Sequence, residues 1–478
     1  MRSLLYFLFL ILVAACGRPS PSVLQGENPT ADTPVRVAEI RSNIMQPEAL
    51  YQEYCSGCHG EELRTFVNQP WKHGKSPEQV AYSIKVGYPD AGMPSYDSTF
   101  TDAQIASLTE YILATIQKPN IATEDASKDG VTNQSGALAV RYELVLDGID
   151  IPWGIAFLPD NSMLVTEKSG KLYHKANDGA KREIGGVPAV WDHGQGGLLD
   201  VLVHPDFATN QRIYLSYSKE TGDGEGNTAV HLARLVDGQL VGGKDIWVAA
   251  NASGKKYHFG SRLVIDDDGY LFVSIGDRGD RDTNPQDITR APGKIHRLHD
   301  DGRIPTDNPF YNTPDAVKSI WSYGHRNAQG LALHPVTREL WEHEHGPRGG
   351  DELNRITPGT NYGWPVISYG INYSGTKFTD ITKKEGMAQP QRYWVPSIAP
   401  CGMDFVRGNK YPGWENSVLV GSLKFDYVSR CALDGNTVTE EEKIFEDIGR
   451  VRSLEVDRDG YIYVGVEEPG RVYKVLPL

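Results

Sequence analysis

Five residues carry the most specific chemistry in the chain, Cys55-Ser-Gly-Cys58-His59. Two thiols one helical turn apart can add to the two vinyl groups on one edge of a haem. The residue immediately following, His59, then lies beneath the iron as an axial ligand. A second, softer ligand is expected further along, and Gly92-Met93-Pro94 supplies a thioether at Met93. An isolated Cys-x-x-Cys-His also suits a zinc or redox pair. The downstream Met-Pro and the export-type N-terminus favour one covalently bound haem c.

That N-terminus begins with Met1-Arg2 and continues as an apolar run from Leu4 to Ala15. The run is too short to span a bilayer and has the pattern of a signal peptide, residues 1–15. It ends in Val13-Ala14-Ala15-Cys16, which resembles a bacterial lipobox with Cys16 as the lipidated residue. Residues 16–45, rich in Pro, Ser and Thr at their start, are expected to form a lipoprotein tether. The expected location is the periplasm-facing membrane surface of a Gram-negative bacterium, at the outer membrane. Cys401 and Cys431 remain as thiols that can pair in an oxidising compartment, although sequence does not place them together.

The elements positioning these groups change character along the chain. Residues 46–118 have helical texture. Thr101-Asp-Ala-Gln104 has the form of a capping box, and Ile105, Leu108, Ile112 and Ile116 follow at helical spacing. This small all-α domain resembles a class I cytochrome c. Residues 119–140 are expected to be a linker, and residues 141–478 turn to short alternating strands. Phrases such as Pro159-Asp-Asn, Asp267-Asp-Gly and Arg458-Asp-Gly each precede an apolar strand. Fifty glycines and 29 prolines suit so many turns. The recurrence predicts a mainly β chain with a six-bladed β-propeller; a large sandwich is the alternative. The formal net charge of −14 gives no electrostatic case for binding nucleic acid.

Within the β-domain a series of landmarks occurs in one order: Ile151-Pro-Trp-Gly, Gly194-Gln195-Gly-Gly, His204-Pro-Asp-Phe, His258-Phe-Gly-Ser-Arg-Leu, Gly276-Asp277, Gly324-His-Arg326-Asn327-Ala-Gln329, Glu344-His-Gly346-Pro347-Arg-Gly-Gly-Asp351-Glu352 and Asn361-Tyr362-Gly-Trp-Pro. Through them residues 142–478 resemble the soluble quinone-dependent glucose and aldose sugar dehydrogenases. The resemblance implies pyrroloquinoline quinone (PQQ) as cofactor and His258 as the base, oriented by Asp277. Arg326 would polarise the quinone oxygen. Arg326, Lys424, Arg450 and Arg452 would pair with the cofactor's carboxylates. Gln195, Asn327, Gln329, Ser397 and Ala399 would contact it through side chain or backbone. Carbonyls of Gly346 and Pro347 would help hold a Ca²⁺ at the cofactor, and Glu352 and Tyr362 match a second, structural calcium position. The nearby His343 and His345 raise the thought of zinc, which the resemblance does not favour. Independently of it, Arg450-Val-Arg452 has the alternate spacing that puts both side chains on one side of a strand.

Two departures stand out. The glucose enzymes have glutamine where His345 stands, so the aldose subgroup fits better, and their cysteine pair is not matched by Cys401 and Cys431. The expected activity is oxidation of an aldose to its lactone, with electrons passed to the haem and onward to a respiratory or soluble acceptor. The alternatives are the same cofactor acting on a sorbosone-like aldehyde or polyol, or a non-catalytic propeller binding a carbohydrate or partner.

Overall fold

The computed structural model describes residues 46–68, 71–118 and 127–478. The expected signal peptide, Cys16 and the tether lie outside the described residues, as do positions 119–126 of the expected linker.

The N-terminal domain is helical. Pro47, at the first helical position where a missing N–H costs nothing, opens the helix Pro47–Tyr54. A single turn, Ser56–His59, follows. The helix Asp102–Thr115 starts at the anticipated capping box, with the Gln104 amide donating to Thr101 Oγ1 at 3.3 Å. The same device caps Pro77–Val86 through Ser76 and Gln79. Ile105, Leu108 and Ile112 turn inward and pack with Leu50, Tyr51 and Ile84.

The rest is a six-bladed propeller built of six antiparallel sheets. Five blades are four-stranded and built from consecutive strands. The inner strands, such as Pro152–Phe157 and Pro400–Phe405, are buried along their whole length. The sixth blade unites the last three strands, Arg450–Val456, Ile462–Glu467 and Gly470–Pro477, with Leu138–Ile149 from the start of the domain. Pairing of Tyr142 with Val475 and Glu143 with Lys474 closes the ring and covers edges that would otherwise stand open.

Two of the recurrent turn phrases share one physical basis. In the hairpin before Tyr270, Asp266 Oδ1 accepts from the amides of Asp268 (3.1 Å) and Tyr270 (2.8 Å). Before Tyr461, Asp457 Oδ1 accepts from Asp459 (3.0 Å) and Tyr461 (2.8 Å). Each aspartate satisfies the turn so that the apolar strand can begin immediately.

The linker is shorter than the sequence suggests. Lys128 N already donates to Tyr473 Oη at 3.1 Å, and Thr132–Ser135 pairs with Leu138–Arg141 as a fifth strand of the closing blade. Thr132-Asn-Gln-Ser is polar and mostly uncovered, so it lacks the alternation that marks a strand.

At the centre, Arg262 ties all six inner strands together. Its guanidinium donates to the carbonyls of Gln329 (2.9 Å), Trp153 (3.2 Å) and Arg452 (3.2 Å), to Asp200 Oδ1 (3.3 Å) and to Cys401 Sγ (3.8 Å). It also lies 4.0 Å from the centre of the Trp153 ring. One buried cation thus fixes the axis on which the site residues are mounted.

Candidate functional site

His258 lies in the loop before the inner strand Leu263–Ile265, and Asp277 follows the next strand, Tyr270–Ile275. Adjacent strands of one hairpin therefore deliver both side chains to the same end of the channel. His258 Nδ1 and Asp277 Oδ1 are 2.7 Å apart, with the side chains 12% and 1% exposed. Asp277 is held in turn by Trp364 Nε1 at 2.9 Å and by the Gly279 amide at 2.7 Å. An Asp277 carboxylate accepting from Nδ1–H leaves the Nε2 lone pair free to take a proton. Burial and the nearby Arg326 lower the His258 pKa below the usual histidine range, and Asp277 only partly opposes them. Burial acts to raise Asp277, but His258 and Arg326 outweigh it and keep the carboxyl below its ordinary range. His258 sits at φ +57°, a strained setting for a non-glycine residue, and Gln195 Oε1 accepts its amide at 2.8 Å.

The cationic residues divide into two kinds. Arg326 donates to the His345 carbonyl at 3.0 Å, and Lys424 lies 4.7 Å from the Phe425 ring centre; neither has an ion pair among the described residues. Arg450 and Arg452 both reach Glu467 Oε1, at 3.2 and 3.0 Å, with a bulge in the strand between Val451 and Ser453. Arg450 also approaches Glu468 Oε2 at 3.7 Å. Burial raises Glu468 to about 7, weakening it as a counter-charge. Among the described residues the ion pairs of these four cations are those of Arg450 and Arg452 with Glu467 and Glu468, which leaves Arg326 and Lys424 available and fits a polycarboxylate ligand.

The remaining expected contacts stand around this set, several of them occupied by backbone. Asn327 Oδ1 accepts from Gly260 N at 3.1 Å, and Gln329 Nε2 donates to Gly260 O at 3.2 Å, so both buttress the His258 loop. Asp351 gathers the Gly346 amide (2.8 Å), Ser397 Oγ (2.5 Å) and the Ile398 and Ala399 amides (2.8 and 2.9 Å). It thereby joins the Gly346-Pro347 turn to the Ser397–Ala399 turn.

Beneath lies a carboxylate cluster. Glu342 and Glu344 alternate on one strand, and Glu344 pairs in register with Glu352 on the next. His325 Nδ1 is 3.6 Å from Glu342 and 3.5 Å from Glu344. Burial and the neighbouring Glu344 raise Glu342 to about 7. Burial disfavours a charged His325, but the two glutamates outweigh it and hold its pKa at about 9. Glu342 Oε2 and His325 Nδ1 have no hydrogen-bond partner among the described residues. Buried carboxylates with an orphaned oxygen fit a hard divalent cation such as Ca²⁺. Tyr362, expected beside Glu352, donates its hydroxyl to the Arg355 carbonyl at 2.6 Å; its ring stacks on His325 at 4.7 Å. Any metal bond from Tyr362 would fall to its backbone. His343 and His345 each have Nε2 on a carbonyl, of Gly402 (3.2 Å) and Pro400 (2.7 Å), which leaves zinc no pair of free Nε2 ligands.

In the helical domain the His59 amide donates to the Cys55 carbonyl at 3.0 Å, the single turn that the motif requires. Cys55 and Cys58 are free thiols, and His59 stacks on Phe66 at 4.8 Å. Burial and Arg450 lower His59 to about 4, so it is neutral and able to ligate a metal. These features fit a covalent haem. Met93 is placed by a two-way bridge with Tyr88, its carbonyl accepting at 2.8 Å and its amide donating at 3.1 Å. Cys401 and Cys431 are both free and buried. Cys401 lies 3.3 Å from Arg452 Nη1 and Cys431 is elsewhere in the same blade, so they form no disulfide.

Residues 149–474 match the Glucose / Sorbosone dehydrogenase family. The chain belongs to that family. Residues 42–112 match the cbb3-type cytochrome c oxidase subunit III family, so a cytochrome domain precedes the dehydrogenase propeller. The aldose sugar dehydrogenase of Escherichia coli is 44% identical over 346 residues, 71% of this chain and 93% of that protein. The solved apo-form of the soluble aldose sugar dehydrogenase from Escherichia coli aligns with TM-score 0.69 at 43% identity, covering 71% of this chain and all of that one (100%). The PQQ-bound aldose sugar dehydrogenase of Streptomyces coelicolor aligns with TM-score 0.59 at 26% identity, covering 72% and 100%.

Sequence reasoning missed Trp364 behind Asp277, Glu467 and Glu468 among the cations, and the cluster of Glu342, Glu344 and His325. The cluster had a signal. On an alternating strand Glu-His-Glu puts both glutamates on one face. The alternating His343 and His345 drew attention to the other.

Proposed function

We propose that this propeller oxidises an aldose at its anomeric hydroxyl to the lactone, with PQQ as the acceptor, and passes the electrons to a haem held by Cys55, Cys58, His59 and Met93. The observation that carries the reading is the buried His258–Asp277 pair at 2.7 Å, with a free Nε2, beside a cluster of cations. Nε2 accepts the hydroxyl proton. Asp277 fixes the tautomer and stabilises the imidazolium that results. Arg326, Lys424, Arg450 and Arg452 would hold the cofactor's carboxylates, and Gln195 and the Ser397–Ala399 turn would border it. When bound, the quinone supplies a two-electron acceptor for the hydrogen leaving the anomeric carbon. Asp351 keeps the Gly346-Pro347 turn in place for a Ca²⁺ at the cofactor; Glu342, Glu344 and Glu352 suit a second.

The test is to add PQQ and Ca²⁺ to the haem-loaded chain and to follow haem reduction during a screen of aldoses. Lactone formation with haem reduction is expected; absence of both with every aldose refutes the reading.

His258 must be neutral to act, so activity should be lost as pH falls through its lowered pKa, on an acid limb below the usual histidine range. Asp277→Asn removes a group that raises the pKa of His258. The limb should therefore move to still lower pH while kcat falls by roughly 10²-fold or more, because the tautomer is no longer fixed. pH profiles of kcat and of kcat/KM with a small artificial acceptor measure both. A limb that moves upward or stays in place refutes the pairing.

The N-terminal pattern supports a lipid-anchored location facing the periplasm, at the outer membrane of a Gram-negative bacterium. Cys16→Ser should release the protein from membranes, and an unmodified mature N-terminus in the mass spectrum of the wild type would exclude the anchor.

A further inference from the structure

Among the described residues the helical domain touches the propeller at three corners, and each corner lies next to a group of the candidate site. At the first, the Asp90 carbonyl accepts from the Lys256 amide at 2.8 Å, two residues before His258. A Cβ placed on the adjoining Gly92 would lie only 3.6 Å from Tyr257 Cβ, so the loop that carries Met93 rests on the loop that carries His258. At the second, Glu53 is ion-paired with Arg348, next to Gly346-Pro347, and the Arg348 guanidinium covers the Tyr54 ring at 4.1 Å. At the third, Thr65 Oγ1 donates to Glu468 Oε2 at 2.7 Å, beside Arg450. A Cβ on Gly60, the residue after His59, would stand 3.3 Å from Arg450 Nη1.

We infer that the cytochrome domain is seated on the propeller's cofactor face as a fixed dock, with the Cys58–His59 edge of its haem motif turned to the Arg326, Lys424 and Arg450 group, and that electrons cross within this docked pair. The occupant of the face is the haem domain of the same chain. Exposed polar pairs such as Glu53–Arg348 contribute little energy singly, but three contacts from three separate segments fix an orientation. That orientation brings His59 to Arg450 and the Met93 loop to His258. A domain merely tethered would reach the pocket at an effective concentration set by its linker; a docked one needs no search. The inference rests on the sugar-to-haem reading above, and its test separates the two.

The haem-loaded full chain is compared with E53R and with the charge-swapped E53R/R348E. Three quantities are read: hydrogen exchange at the Lys256 amide, the rate of sugar-driven haem reduction with PQQ and Ca²⁺ added, and reduction of a small diffusible acceptor. E53R should deprotect the Lys256 amide and slow haem reduction by about tenfold or more, leaving the small-acceptor rate unchanged. The swap should restore protection and haem reduction. Because Arg348 adjoins Gly346-Pro347, T65V provides a second probe, with the same expected loss of Lys256 protection. If E53R and T65V both keep wild-type exchange at Lys256 and E53R keeps wild-type haem reduction, the dock is refuted. If the wild type reduces no small acceptor with any sugar, the sugar reading fails, and Lys256 exchange still decides the dock.

Discussion

His258→Gln should bind PQQ as the wild type does and lose roughly 10²- to 10⁴-fold in sugar turnover, the usual worth of a positioned base. The geometry makes the expectation specific. The imidazole meets Asp277 at 2.7 Å, and its backbone is fixed separately, by Gln195 Oε1 on its amide. Glutamine can keep that amide bond and can still donate to Asp277, so loop and pocket should persist. What it cannot do is take a proton at neutral pH. The cations Arg326, Lys424, Arg450 and Arg452 are untouched, so cofactor titration should be unchanged while kcat collapses. Near-native turnover at saturating PQQ would assign the base to another group.

The legible parts of the molecule were those written in local spacing. Cys55, Cys58 and His59 need only one helical turn, and the turn is there. Arg450 and Arg452 stand two apart on one strand, and both reach Glu467. The blades announced themselves through aspartate turns followed by apolar strands. What stayed hidden depends on contacts between distant segments. No local pattern says that Arg262 will gather carbonyls and side chains from five other blades, or that Trp364 will stand behind Asp277. Thr132–Ser135 became a strand because an edge of the closing blade was available, not because its residues alternate. The counter-charges Glu467 and Glu468 were invisible for a related reason: a carboxylate at a strand end has no pattern until the ring closes and brings Arg450 beside it.

Those counter-charges change what a cofactor-binding variant reports. Arg450→Ala would remove a cation proposed to pair with a PQQ carboxylate, but it would also take a cation from Glu467 and Glu468, whose side chains are 3% and 6% exposed. Breaking a buried pair by deleting one partner typically costs about 3–5 kcal/mol; Arg452, still on Glu467, should keep the loss near the lower end. Weak cofactor binding by this variant would therefore be mixed with loss of fold. Lys424→Ala isolates the binding contribution. Lys424 has no ion pair among the described residues; Glu61 and Asp351 act on it only at longer range, so removing it breaks no direct pair. Its unfolding midpoint in denaturant should stay close to wild type. PQQ affinity should fall about 10- to 100-fold, the equivalent of a charge-assisted contact of roughly 1.5–3 kcal/mol. Arg450→Ala should show both defects, a lower midpoint and weaker binding. Equilibrium titration of PQQ with Ca²⁺ present, run beside a denaturation curve for each variant, separates them. A Lys424→Ala protein that binds PQQ as tightly as the wild type would remove Lys424 from the pocket and leave the cofactor's carboxylates to the arginines alone.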